Sequence, residues 1–175
     1  MAPLDKALIV TGKEGLYVVD KFSGELVCKY QTSSTVLSKP IVLAGRVFFG
    51  CYDGSLLSVD LETGCLEWSI QTENKRWDFL CGSERLILFA SDTKHLSAAD
   101  AKTGKLKWRF DCGGNITSAP CLADGSVFIG STNGRVYSLE AESGKLQWVF
   151  NKNDWRAARV ALAETEYLAN DQQDS

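Results

Sequence analysis

The sequence is poor in the residues from which many active sites are built, and its one histidine is His95. Nucleophilic triads use a histidine as the base, and metal sites combine several histidine, cysteine or carboxylate ligands at fixed spacings. The cysteines do not show the spacing of a four-cysteine zinc site, and Gly113-Gly114 does not open a helical pattern as a phosphate-binding loop would. We therefore expect no catalytic constellation and no metal site within one chain.

The sequence also lacks a large excess of positive or negative charge and a long apolar run. The formal net charge is −3 and the pI is about 5.2, so the chain lacks the clustered basic surface that nucleic acid or an anionic membrane requires. The apolar run at Ala7–Val10 is too short for the core of a signal peptide or for a membrane span. We expect neither nucleic acid nor a membrane as a partner.

Paired cysteine spacings are missing as well, although the chain has six cysteines. Without a disulfide framework or a secretory signal, the cysteines are expected to be free thiols in a reducing compartment. The sequence thus predicts a cytoplasmic protein.

What the chain does contain is a repeat of forty residues within 175, a length that suits one domain. A glycine recurs at this interval, with an acidic residue four places before it and, in three copies, a tryptophan four places after it. We call these residues the docking motif: Asp60, Gly64, Trp68, Asp100, Gly104, Trp108, Glu140, Gly144 and Trp148. The first copy keeps Asp20 and Gly24 but has Cys28 at the tryptophan position.

Each period also contains four short apolar runs separated by turn residues, as in four antiparallel strands. The pairs Asp53-Gly54 and Asn133-Gly134 are strong hairpin signals. A forty-residue unit of this kind is typical of a β-propeller blade. We predict an all-β propeller in a single domain, residues 1–175, with blades at about 7–36, 37–76, 77–116 and 117–152.

The first copy lacks its opening strand, because Ala7–Val10 matches the second strand of the unit. The tail, residues 153–175, could supply the missing strand and close a four-bladed ring, or it could form an amphipathic helix. An open array would instead leave two apolar blade faces exposed, which monomers rarely tolerate.

In such a blade, the aspartate of the docking motif accepts hydrogen bonds from the turn backbone, and the glycine adopts a positive φ. The tryptophan is expected on the outermost strand, where its ring covers the turn of an adjacent blade. Cys28 at this position predicts a weaker first junction.

The segment Ala98-Ala99-Asp100-Ala101-Lys102-Thr103-Gly104-Lys105-Leu106-Lys107-Trp108 resembles the tryptophan-docking motif of the pyrroloquinoline quinone (PQQ) repeat family, the quinoprotein alcohol dehydrogenase-like propellers. The resemblance covers roughly residues 7 to 150. It is good at Ser58–Trp68 and Ser138–Trp148, and it is poor at Val18–Cys28.

This family includes PQQ-dependent dehydrogenases, which are large eight-bladed enzymes, and non-catalytic relatives that resemble scaffolds. The chain has half the blades of those enzymes and lacks their adjacent cysteine pair. We therefore expect a non-catalytic scaffold or interaction module without a cofactor, such as the accessory propeller of an acyl-activating enzyme. The alternative is half of a PQQ-dependent dehydrogenase, in which two chains form an eight-bladed ring around PQQ.

The loops that join the outer strand of one blade to the inner strand of the next form the candidate interaction surface, because propeller loops gather on one face. We call it the loop face, and its residues are Lys39, Arg76, Trp77, Asn115, Trp155 and Arg156. Tryptophan beside arginine is typical of interaction hot spots, which predicts a protein or peptide partner, or a sister domain. Alternatively, Trp77 and Trp155 fill the central channel.

Overall fold

The computed structural model describes residues 7–72, 79–90 and 94–151. These residues form fifteen strands: β1 (Ala7–Gly12), β2 (Gly15–Asp20), β3 (Leu26–Gln31), β4 (Ile41–Leu43), β5 (Arg46–Gly50), β6 (Ser55–Asp60), β7 (Leu66–Gln71), β8 (Phe79–Gly82), β9 (Leu86–Ala90), β10 (His95–Asp100), β11 (Leu106–Asp111), β12 (Cys121–Ala123), β13 (Ser126–Gly130), β14 (Arg135–Glu140) and β15 (Leu146–Asn151). Of the predicted loop-face residues, Arg76, Trp77, Trp155 and Arg156 lie outside the described ranges, as does the tail.

The strands form four separate antiparallel sheets, each a simple up-and-down meander. Blade 1 comprises β1–β3, and blades 2, 3 and 4 comprise β4–β7, β8–β11 and β12–β15. The predicted all-β architecture of antiparallel blades is confirmed. β1 pairs with β2 as β5 pairs with β6, so β1 is equivalent to the second strand of blade 2. Blade 1 therefore has three strands in the described residues.

Every blade has a register shift at the same place, between its last two strands. It falls at Val18/Val19, Ser58/Val59, Ala98/Ala99 and Ser138/Leu139. A bulge increases local twist and redirects the strand. In each copy it lies just before the acidic residue of the repeat, so the same turn follows in every blade.

The core lies between successive blades. One cluster joins Leu16 and Val18 of blade 1 to Val47 and Phe49 of blade 2. Equivalent clusters join blade 2 to blade 3 and blade 3 to blade 4. We call these contacts the first, second and third junctions.

The middle blades are covered on both sides, and β9 is buried along its whole length. No core cluster among the described residues joins blade 4 to blade 1, so that part of the chain forms a partial propeller. Within it, no helix has the length and hydropathy needed to cross a membrane.

Candidate docking surfaces

The turn of the docking motif is built by its aspartate. Asp100 Oδ1 accepts hydrogen bonds from the backbone N–H groups of Lys102 (3.1 Å) and Thr103 (2.8 Å) and from the Thr103 hydroxyl (2.8 Å). The N–H of Gly104 donates to the Asp100 carbonyl at 2.8 Å, and Gly104 adopts φ +70°. A short carboxylate that satisfies several donors at once holds the chain in this reversal.

The turn at Asp60 has the same bonds, from Glu62 N–H, Thr63 N–H and the Thr63 hydroxyl. Hydrogen bonds from the Thr103 hydroxyl and backbone lower the pKa of Asp100, and those from Thr63 lower the pKa of Asp60. Donors favour the charged form of a carboxyl group. Both aspartates are therefore fixed, ionised acceptors within a turn.

Glu140 builds the fourth turn differently because its side chain is longer. Its carboxylate accepts the hydroxyl of Ser143, while Gly144 N–H donates to the Glu140 carbonyl at 2.8 Å. Gly144 has φ +69°, close to that of Gly104. The backbone of the turn is thus kept despite the change of acid.

The tryptophans lie against the turn of the next blade. The indole N–H of Trp68 donates to the Ala101 carbonyl at 3.1 Å, and that of Trp108 donates to the Ala141 carbonyl at 2.8 Å. A Cβ built on Gly104 would stand 2.6 Å from the Trp68 ring, and one built on Gly144 would stand 2.5 Å from the Trp108 ring. At these two positions the close approach itself requires glycine.

The first junction has another arrangement at the same place. Cys28 lies at the tryptophan position, and its Sγ is 3.9 Å from the carbonyl oxygen of Leu61. A Cβ built on Gly64 would stand 3.5 Å from the Cβ of Cys28. The residue after the acidic residue is Leu61 here, whereas it is Ala101 or Ala141 where a tryptophan packs against the turn. At the first junction the outer strand contributes the small side chain and the turn contributes the large one. At the other two junctions the outer strand contributes the large side chain and the turn contributes the small one.

Trp148 is the docking-motif tryptophan with no described turn against it. It is 47% exposed, whereas Trp68 and Trp108 are 9% and 8% exposed. Its ring stands 5.8 Å from that of Phe128, the same separation as between Trp68 and Phe48 in blade 2. A Cβ built on Gly24 would meet no described atom within 4 Å.

The described part of the loop face consists of Lys39 and Asn115, both exposed. They lie on the connections from β3 to β4 and from β11 to β12, which run alike. Val36 bridges Cys51 in one connection, and Ile116 bridges Ser131 in the other. The two residues lie on connections two blades apart, at the same end of their blades.

The thiols are mostly protected. Burial raises the pKa of Cys51 to about 11 and the pKa values of Cys81 and Cys112 to about 12. A thiol is nucleophilic as its thiolate, which these three groups do not form near neutral pH. None of the six cysteines forms a disulfide bond, and Cys65 is the exposed one.

PQQ is an anionic, planar quinone that the family's enzymes use together with a metal ion, so a site for it needs converging oxygen ligands. Among the described residues, no three histidine, cysteine, aspartate or glutamate side chains come together. The carboxylates of Asp60 and Asp100 are already bonded within their turns. This donor set does not fit a metal-assisted PQQ site.

Two features of these surfaces were not recognised from the sequence. One is the exchange of Leu61 for Ala101 and Ala141 opposite Cys28, Trp68 and Trp108, and the other is the ring contact of Trp148 with Phe128. Aligning the residue after each acidic position would reveal the first, since Leu61, Ala101 and Ala141 recur at the forty-residue interval.

Family comparison finds a match to the PQQ-repeat model described as outer membrane protein assembly factor BamB, over residues 3–82 and 72–173. No curated protein is significantly similar to the chain in sequence. Among solved structures, BamB from Moraxella catarrhalis is similar with a TM-score of 0.71 at 18% identity, over 86% of this chain and 47% of that one.

Two further structures show the same likeness. A quinohemoprotein alcohol dehydrogenase from Comamonas testosteroni has a TM-score of 0.67 at 15% identity, over 84% of this chain and 33% of that one. Sqt1 from Saccharomyces cerevisiae has a TM-score of 0.71 at 15% identity, over 82% of this chain and 43% of that one. The chain therefore spans less than half the length of each of these structures, and at such identities the likeness concerns the fold.

Proposed function

Because the chain belongs to the PQQ-repeat family of β-propellers, whose model matches both halves of the sequence, we propose that it is a non-catalytic scaffold or protein-interaction module. The observation that carries this proposal is a contrast between polar and apolar groups. Asp60 and Asp100 are bonded within turns, whereas Trp148 and Phe150 are exposed on a well-paired sheet. Large apolar groups held on a rigid frame are suited to binding other proteins.

The state of the thiols supports the same proposal. Desolvation raises the pKa values of Cys51, Cys81 and Cys112, so none of these three is a ready nucleophile. Cysteines without disulfide bonds suit a reducing compartment, and we propose a cytoplasmic location. The net charge of −3 favours proteins over nucleic acid or anionic membranes as partners.

The partner that we propose for the loop face is a peptide or a sister domain, with Arg76, Trp77 and Arg156 as its anchors. One specific context is a larger acyl-activating enzyme that carries this propeller as an accessory domain. Lys39, which is exposed on the connection before β4, would add a charge at the edge of that surface. Loops that carry recognition residues are commonly held on a rigid scaffold such as a set of blades.

The test compares affinity capture by the wild-type chain, by the double variant Arg76→Glu/Trp77→Ala, and by Lys105→Glu as a matched control. Lys105 is exposed in a docking turn, at the opposite end of its blade from the inter-blade loops. We expect a protein recovered by the wild type and the control to be lost with the double variant. Recovery that is the same with all three chains would contradict a role for the loop face.

A second arm addresses the dehydrogenase alternative. The chain is incubated with PQQ and Ca²⁺, gel-filtered, and scanned for quinone absorbance, with thermally unfolded chain as the control. The proposal expects no quinone to remain with the folded protein. Stoichiometric quinone that elutes with the folded chain alone would contradict a non-catalytic module.

A further inference from the structure

We infer that the two ends of the blade array are the two halves of one interface, and that a second copy of this chain covers both ends in a closed two-chain ring. Three junctions inside the chain show how such faces pack. The inference concerns the end faces and is independent of the loop face.

The first half is the back face of blade 4, which comprises Phe128, Val136, Trp148 and Phe150. In blade 2 the equivalent residues are Phe48, Leu56, Trp68 and Ile70, and they belong to the core of the second junction. Phe48 and Leu56 are fully buried there, whereas Phe150 is 55% exposed. Blade 4 thus carries a complete docking face without a blade against it.

The second half is the front face of blade 1, which comprises Leu8, Val10, Val19 and the turn at Gly24. Strand register places Leu8 where blade 2 has Val47 and Val10 where blade 2 has Phe49. Val47 and Phe49 are fully buried against blade 1, whereas Leu8 is 53% exposed. Among the described residues, no blade packs against this face.

The turn on this front face already has the shape that receives an indole. Asp20 Oδ1 accepts the N–H groups of Phe22 and Ser23, both at 2.9 Å, and Gly24 adopts φ +73°. The residue equivalent to Ala101 and Ala141 in this turn is Lys21. The receiving turn thus needs no rearrangement of its backbone.

The charges at the two end faces are also compatible. At the third junction Lys107 forms an ion pair with Glu142, between blade 3 and the turn of blade 4. The equivalent positions at the end faces are Gln147 in blade 4 and Phe22 in blade 1, so no like charges meet there. Gln147 is instead bonded within its own blade by the hydroxyls of Ser126 and Ser138.

A second copy is the occupant that covers both faces at once. An exposed outer face of a repeat is usually polar, whereas the described outer faces of blade 1 and blade 4 are apolar. The four blades match 47% of the BamB chain, so they correspond to about half of that propeller. Head-to-tail contacts form a closed ring when the rotation closes, and two half-rings related by a twofold axis form two identical junctions.

The experiment measures the mass of the full chain by size-exclusion chromatography with light scattering. We expect twice the chain mass of 19.2 kDa for the wild type. Trp148→Glu removes the indole from both junctions, and Gly24→Leu fills both receiving turns, so each variant should run as a monomer.

Matched controls separate these effects from unfolding. Tyr52→Glu replaces an exposed aromatic residue in a turn of blade 2, and Gly125→Leu changes a glycine that also has φ +73° and open space. Gly125 lies beside the turn that Trp108 already covers, because its carbonyl accepts the Ala141 N–H. Both controls should remain dimeric, and circular dichroism should show the same β signal in all five chains.

Mixing the two end-face variants tests the head-to-tail arrangement. A mixed pair has one junction with a normal Trp148 and a normal Gly24, so we expect partial recovery of the dimer. A wild-type chain that is monomeric would overturn the inference, and a dimer that forms only after removal of residues 152–175 would identify the tail as the occupant. A dimer that persists in both end-face variants would equally overturn it.

Discussion

The first and third junctions join blades of the same design through different side chains. At the third junction, Trp108 lies flat against Gly144 and donates to the Ala141 carbonyl at 2.8 Å. At the first, a Cβ built on Gly64 would meet the Cβ of Cys28 at 3.5 Å, an ordinary van der Waals distance, and Leu61 is buried in the core of this junction. The same space between two blades is filled from one side in the first case and from the other side in the third.

This difference shows that the repeat conserves the turn more strictly than the group that covers it. Asp20, Asp60 and Asp100 accept equivalent backbone hydrogen bonds, although the groups opposite these turns differ. A closely packed interface needs a total volume rather than one particular residue. The first junction is therefore expected to depend on Leu61 where the third depends on Trp108.

The largest expected effect comes from removing the indole of the third junction. Trp108→Ala should lower the free energy of unfolding by about 3–5 kcal/mol, because it deletes a buried aromatic ring and leaves a cavity. Cys28→Ala at the first junction should cost only about 1 kcal/mol, since it removes one sulfur atom. Urea unfolding of both variants measures this comparison.

Tyr52→Ala is the control for that measurement, because Tyr52 is a large aromatic residue that is mostly exposed. It should change stability by less than about 0.5 kcal/mol. A loss below about 1 kcal/mol for Trp108→Ala would mean that the indole contributes little to the junction.

The glycines under these side chains give the next largest difference. Gly104→Ala places a Cβ 2.6 Å from the Trp68 ring at φ +70°, whereas Gly64→Ala places one 3.5 Å from Cys28 at φ +68°. Both variants carry the backbone cost of a positive φ, about 1–2 kcal/mol. Gly104→Ala should lose about 1–3 kcal/mol more, because the indole must move.

Gly125→Ala isolates the backbone cost, since its φ is +73° and its added Cβ meets nothing within 4 Å. Thermal unfolding of the three variants should therefore place Gly125 and Gly64 together and Gly104 well below them. Equal losses at Gly64 and Gly104 would show that the close approach of Trp68 has no energetic consequence.

The sequence predicts the blades well because the information for them is local and repeated. The phase of Asp100, Gly104 and Trp108 recurs at forty residues, and each strand lies between turn residues that stop it. Which turn each outer-strand side chain covers is not encoded locally, since it depends on which blades are neighbours. The contribution of Leu61 was missed for this reason, although its position in the repeat was visible.

Closure of the ring could not be predicted for a related reason. Whether blade 4 meets blade 1 depends on the angle between packed blades, which is set by side-chain volumes at three junctions together. The sequence allowed a four-bladed ring closed by the tail, and this stays a prediction because residues 152–175 lie outside the described residues. The loop face stays a prediction, because Arg76, Trp77, Trp155 and Arg156 lie outside the described residues.

The smallest expected quantity is a coupling free energy, and it is also the most specific, because it comes from converting one kind of junction into the other. Cys28→Trp alone should destabilise the chain by about 1–3 kcal/mol, since Leu61 occupies the space that the ring needs. Leu61→Ala alone should lose about 2–5 kcal/mol through the cavity that it leaves. Combined, the two changes recreate the pairing of Trp108 with Ala141, so the double variant should be more stable than either single variant. Urea unfolding of all four chains gives the coupling free energy, which should be favourable by more than about 1 kcal/mol for residues in contact. Additive losses would mean that the two volumes do not share one space.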